Sequence, residues 1–136
     1  MTYDIVIIGG GAAGIATAAS ILKRNAKVSI AVVDAARDHY YQPGWTLVGA
    51  GVFTPEQTRK AEADVMPKGV EWIRLPAITI DPERQAITLG DGDTIAYRVL
   101  IVAPGLRLAW EKIAGLTEAL GRNGVTSNYR YDLAPY

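Results

Sequence analysis

The sequence contains no cysteine. That excludes a disulfide framework, a thiolate metal site and any thiol chemistry carried by these 136 residues themselves. A single histidine, His39, provides no partner for an imidazole metal centre, and no Ser-His-Asp pattern is legible, so no metal ion and no catalytic residue are expected. Neither sign of charge prevails: 14 basic residues face 14 acidic ones. The longest basic cluster, Lys23, Arg24 and Lys27, is too brief to follow a phosphate backbone, so no nucleic-acid partner is expected. Long apolar runs are missing too, none reaching the roughly 20 residues a membrane-crossing helix needs. The first strand-like run begins at Tyr3, with no room before it for a cleavable leader, and the default expectation is a cytoplasmic location.

The composition, 49% hydrophobic and 21% charged, is that of one ordinary folded domain. Tyr3 to Ile8 runs Ile5-Val6-Ile7-Ile8 without a polar break, the pattern of a parallel strand buried on both faces. Ala12 to Arg24 places Ile15, Ala18, Ala19 and Leu22 at helical spacing, with Lys23 and Arg24 in the last turn and Asn25 as a left-handed stop. Val28 to Val33 is a second apolar run, completing strand, helix and strand in a right-handed crossover.

From Asp38 to Gly51 the stretch His39-Tyr40-Tyr41-Gln42-Pro43-Gly44-Trp45 is too aromatic for a solvated linker and too rich in glycine and proline for a helix. An ordered loop is expected there. Thr54 caps a short helix over Pro55 to Arg59, and Asp64 to Met66 adds a further turn. Val70 to Leu75, Ala77 to Ile80, Gln85 to Leu89 and Thr94 to Tyr97 are short β-prone stretches. The turn formers Asp81-Pro82-Glu83 and Gly90-Asp91-Gly92-Asp93 divide them, and the set predicts an antiparallel meander. Val99 to Ala103 then reads as another buried parallel strand, delivering Pro104-Gly105 to the carboxyl edge of the sheet.

Gly9-Gly10-Gly11-Ala12-Ala13-Gly14 fits G-x-G-x-x-G between a buried strand and a helix, where a dinucleotide fingerprint must sit. Gly9 permits the tight turn, Gly11 the approach of a diphosphate, and Gly14 the close packing of helix on strand, while free amides at the helix start face the anion. A glycine-rich turn without a ligand is the plainer alternative. Asp34 closes the second strand twenty positions beyond Gly14, where a carboxylate accepts hydrogen bonds from ribose hydroxyls and repels a 2′-phosphate. An aspartate that only caps the strand end is the alternative there. NAD and FAD share the fingerprint, and the meander before the last buried strand favours FAD by analogy of fold. The fold class is therefore α/β, a Rossmann-like FAD-binding domain in three layers, with a parallel sheet and an antiparallel β-meander.

Three segments together carry a resemblance: Thr2 to Gly14, His39-Tyr40-Tyr41-Gln42-Pro43-Gly44-Trp45-Thr46-Leu47-Val48-Gly49, and Leu100-Ile101-Val102-Ala103-Pro104-Gly105-Leu106. On these the chain resembles the sulfide:quinone oxidoreductases of the FAD-dependent pyridine nucleotide-disulfide oxidoreductase family, with the His-Tyr-Tyr-Gln-Pro stretch the specific part. The resemblance implies that Gly9, Gly11 and Gly14 line the pyrophosphate, Asp34 the ribose and Ala77 the adenine edge, with Ala12 and Ala13 also among the cofactor-binding residues. It places Ala103 and Gly105 in the cofactor's neighbourhood and Gln42-Pro43 beside the isoalloxazine.

In that family sulfide is oxidised through cysteine sulfurs, and electrons pass by way of FAD to a membrane quinone. The family's chains have roughly three times this length, and their redox cysteines and quinone site lie largely outside the matched region. At Gly124-Val125-Thr126-Ser127-Asn128-Tyr129, where some relatives carry a redox cysteine, this chain has only hydroxyls. The matched pattern runs through to Tyr136, as in a protein cut mid-domain. The expected organisation is an FAD-binding segment over 1–105 and a connecting segment over 106–136 that leads toward a second domain. Quinone and sulfide are then partners of the complete parent, peripheral on a membrane, and exposed apolar surface on the fragment favours self-association. Rival readings are part of a type II NADH dehydrogenase-like flavoenzyme and a stand-alone dinucleotide-binding module.

Overall fold

The computed structural model describes residues 1–135; Tyr136, the last residue of the matched pattern, lies outside them. The chain divides into two compact units: Met1–His39 with Ala61–Gly105, and Tyr40–Lys60 with the stretch from Leu106 onward.

In the first unit, β1 (Thr2–Ile8) leads through the glycine turn into α1 (Ala12–Arg24) and back to β2 (Ile30–Val33). β1 and β2 pair in parallel, Ile5 opposite Ile30 and Ile8 opposite Val33. All four residues of β2 are buried, as an uninterrupted apolar run requires. The strand starts two residues later than the apolar run from Val28. Asn25 does not adopt the expected left-handed conformation, having φ −148° and ψ 94°. Its Oδ1 accepts a hydrogen bond from the amide of Lys27, so a local side-chain turn ends the helix where a positive φ was expected.

β3 (Asp38–Tyr40) pairs with β4 (Arg59–Ala61) in a separate two-stranded sheet, and one turn of helix, α3 (Glu62–Val65), follows β4 in place of the turn expected over 64–66. β5 (Val70–Ile73) is not part of the meander. It pairs in parallel with β2, Ile30 opposite Val70 and Val33 opposite Ile73. The turn formers at 81–83 and 90–93 delimit only the later strands, and Pro76 breaks the chain before them. The meander proper is β6 (Ala77–Asp81), β7 (Ala86–Leu89) and the opening of β8 (Thr94–Val102). β8 joins two stretches that the sequence suggests are separate, because Arg98 between them is no turn former. Its start runs antiparallel to β7, and from Ala96 to Val102 it runs parallel to β1. Val99 and Val102 are exposed in it, contrary to the expected burial of 99–103.

The six-stranded sheet has the order β5-β2-β1-β8-β7-β6. Alternate residues of β1 face opposite layers. Ile7 packs with Ala18, Ile30 and Val32 under α1, whereas Val6 packs with Ala31, Val33, Ile87, Leu89, Ile95 and Tyr97 under the meander. Helix, parallel sheet and meander are the three layers of a Rossmann-type α/β fold.

Tyr3 belongs to the meander-side cluster at 6% exposure, and burial, assisted by the nearby Glu71 carboxylate, raises its phenol from 10.0 to about 12. A phenol whose pKa rises on folding contributes stability that is complete below pH 10 and is lost as pH climbs through the folded value. Ultraviolet titration should therefore show one tyrosine ionising about two units late, together with unfolding. Tyr3→Phe should keep the fold into stronger alkali.

The second unit contains the aromatic stretch. It is not an irregular loop, because Gly44–Gly49 forms the short helix α2. Pro43, at φ −57°, presets its first turn, and Trp45 and Val48 fall on one face, where they are buried with Ala134 against Tyr131. Tyr40 meets Trp45 edge-on at 5.9 Å and Tyr131 at 4.9 Å. The turn over Pro55–Thr58 has the expected Thr54 cap, and Gln57 returns a bond to the Thr54 amide at 2.8 Å. A 3₁₀ turn at Trp110–Lys112 and one turn of helix, α4 (Leu116–Ala119), follow.

Candidate functional site

The turn between β1 and α1 is built by steric necessity. Gly9 has φ +103°, and a Cβ there would stand 2.2 Å from the carbonyl oxygen of Ala103. Gly14 lies on the carbonyl oxygen of Gly9, only 1.9 Å from where its own Cβ would be. These two glycines let β1, α1 and the end of β8 close on one another. The Gly9 amide donates to Val33 O at 3.0 Å and the Ala103 amide to Ile8 O at 2.8 Å, so the turn is fastened to both neighbouring strands.

Gly11 differs from both. It is the N-cap of α1 in an ordinary extended conformation, exposed, and a Cβ on it would meet nothing within 4 Å. No side chain caps α1, and its first turn carries no acid. Ala12 and Ala13 are exposed beside it. A 13-residue helix thus opens with its N-terminal amides toward free space, which favours an anion.

Asp34, at the end of β2, holds the same turn. Its Oδ2 accepts from the Gly10 amide at 2.5 Å and its Oδ1 from the Ala36 amide at 2.7 Å. Each oxygen keeps a further lone pair for a ligand hydroxyl. Beside it a groove of about 260 Å³ is lined by Ile8, Gly9, Val33, Asp34, Ala35, Pro76, Ala77 and Pro104. These residues stand at the carboxyl ends of β1, β2 and β8 and the start of β6, the edge where open α/β sheets bind ligands. A second groove, of about 480 Å³, lies past Asp34, where Arg74 stacks over Trp72 at 4.2 Å. Neither Gly9 nor Asp34 lines it, whereas both line the smaller groove, which is therefore the candidate site.

The fold brings Gly9, Gly11, Ala12, Ala13, Gly14, Asp34 and Ala103 to one turn and sets Ala77 on the adjoining groove. Gly105 follows at φ +80°, exposed. Gln42 and Pro43 belong to the second unit, where the Gln42 carbonyl accepts from the Trp45 amide and Pro43 opens α2.

A family profile described as pyridine nucleotide-disulphide oxidoreductase matches residues 3–134. The chain belongs to that family. Among its relatives are two proteins named mitochondrial sulfide:quinone oxidoreductase. The one from Dictyostelium discoideum is 45% identical over 94% of this chain, and the one from Mus musculus 38% over 93%. The solved sulfide:quinone oxidoreductase of Aquifex aeolicus superposes with a TM-score of 0.76 at 28% identity, over 96% of this chain and 29% of its own. The chain spans about 28% of the length of the two named relatives. Membership of that family implies a flavin or nucleotide cofactor. No helix among the described residues is long and apolar enough to cross a membrane.

One functional candidate was not evident in the sequence. Glu62 of α3 is 1% exposed, and a Cβ on Gly10 would lie 2.7 Å from its Oε1 and 3.2 Å from Oδ2 of Asp34. Its Oε2 is 3.4 Å from Nδ1 of His39, a pair too poorly aligned for a hydrogen bond, and its Oε1 has no hydrogen-bond partner. Burial pushes the carboxyl up; His39 opposes that shift and Asp34 adds to it. No periodicity or motif marks a lone glutamate on a single helical turn, so only the folded chain reveals its position.

Proposed function

We propose that this chain is the N-terminal FAD-binding part of a sulfide:quinone-oxidoreductase-type flavoprotein, in which sulfide reduces FAD and FAD reduces a quinone. The observation that carries the reading is the uncapped start of α1 above Gly11, with Asp34 one strand away. The chain's own part is binding. Amides of Gly11, Ala12 and Ala13 face the diphosphate, Gly9 and Gly14 keep the turn narrow, and Asp34 takes the ribose hydroxyls on its remaining lone pairs. Ala77 lies at the adenine edge, and Ala103 and Gly105 lie beside the cofactor. When bound, FAD supplies the two-electron chemistry.

Residues 1–105 contain that binding segment. Without cysteine, this stretch by itself oxidises no sulfide. The quinone half of the reading gives the complete protein a peripheral place on a membrane. The identities to two sulfide:quinone oxidoreductases, 45% and 38%, favour sulfide over NADH as the electron source.

Two measurements test this. FAD added to the chain should raise its melting temperature with the logarithm of concentration, and ADP should compete. In the complete protein, sulfide added without oxygen should bleach the flavin's visible absorbance, and a quinone should restore it. Bleaching by NADH alone would replace the sulfide assignment, and an unmoved melting point at millimolar FAD would end the cofactor assignment.

A further inference from the structure

Glu62 combines three properties that rarely occur together: it is buried, one of its oxygens is unpartnered, and it is aimed at the middle of an anion-binding turn. Gly10 sits between Oε1 of Glu62 and Oδ2 of Asp34, each oxygen close to where a Cβ at that residue would be. Two carboxyls therefore flank a turn whose exposed side offers amides to a diphosphate.

Ionised together they place two negative charges beside the incoming anion and leave one of them buried without a hydrogen bond, a costly arrangement at low dielectric. With a proton on Glu62 the buried charge is gone and only the Asp34 carboxylate faces the anion, and the acid gains a hydroxyl able to donate. Among the described residues, the ionisable groups facing it are Asp34 from the end of β2 and His39 from β3. The Arg37 carbonyl accepts the Glu62 amide at 2.9 Å, and the first turn of α1 contributes no acid.

We propose that Glu62 is a positioning residue of the dinucleotide site: acting through Gly10 and Asp34, it admits the cofactor's diphosphate when protonated and opposes it when ionised, which makes affinity depend on pH. The inference deepens the FAD reading and rests on it. Burial favours the protonated form, and His39 sets the limit by favouring the charged one.

The experiment is FAD titration of the chain from pH 5 to pH 9, followed by flavin fluorescence, for the unaltered protein, Glu62→Gln and His39→Asn. The unaltered protein should lose affinity as pH rises, by up to about tenfold per unit past the Glu62 titration. Glu62→Gln, a permanent mimic of the neutral acid, should hold the low-pH affinity throughout. His39→Asn should move the fall to higher pH. A profile as steep in Glu62→Gln as in the unaltered protein would assign the titration to another group and overturn the inference alone, as would a flat profile in the unaltered protein. Absence of FAD binding at every pH would overturn the cofactor reading and this inference with it.

Discussion

Gly14→Ala should strongly destabilise the first unit, although alanine is the better helix former. Propensity favours the change by about 1 kcal/mol. Against that, the new methyl would lie 1.9 Å from the Gly9 carbonyl oxygen. Relief requires α1 to lift from β1, which separates Ala18, Ile21 and Leu22 from Ile7, Ile30 and Val32. Overpacking against backbone, with part of that interface lost, costs about 3 kcal/mol or more. The expected result is a melting temperature lower by roughly 10 °C in calorimetry, or no folded protein at all. An alanine variant as stable as its parent would mean that helix and strand are not packed as described.

Gly11→Val should do the reverse, leaving the fold and removing the ligand. Position 11 is extended and opens on empty space, so a branched side chain is accommodated at the expense of a weaker helix cap, about 1 kcal/mol. That side chain then stands where the diphosphate must approach the helix amides. FAD affinity should fall at least 100-fold, roughly 2.7 kcal/mol, while circular dichroism stays unchanged. Undiminished binding would show that the diphosphate passes elsewhere. The pair of glycines thus separates what holds the turn together from what the turn holds.

Much of this was legible beforehand because the relevant physics is local. Unbroken aliphatic runs mark β1 and β2, and three glycines at fixed offsets mark the turn, two of them at positions where no side chain fits. What escaped was set by distance in sequence or by one residue's geometry. Val70–Ile73 resembles its meander neighbours in composition, and only its pairing with Ile30 to Val33 sends it to the opposite edge of the sheet. Arg98 does not interrupt β8, so two apparent strands are one. Pro43 starts a helix where glycine and proline together suggested a loop. The meeting of Tyr40 and Trp45 with Tyr131 spans some ninety residues, beyond any periodicity. Glu62 and Asp34 meet at Gly10 for the same reason, through tertiary contacts that no spacing rule encodes.

The continuity of β8 has a consequence for how such a chain can vary. Its first residues are aligned by the meander, Thr94 opposite Thr88, and its last lead directly to the carbonyl beneath Gly9. One alignment therefore governs both ends. Sliding β8 by a single residue would exchange Leu100 and Ile101 between opposite faces of the sheet and carry the support of the glycine turn about 3.3 Å out of place. Lengthening the Gly90–Asp93 tip leaves that alignment alone, whereas an added residue between Ala96 and Val102 disturbs it. Natural length changes should collect at the tip and avoid the strand.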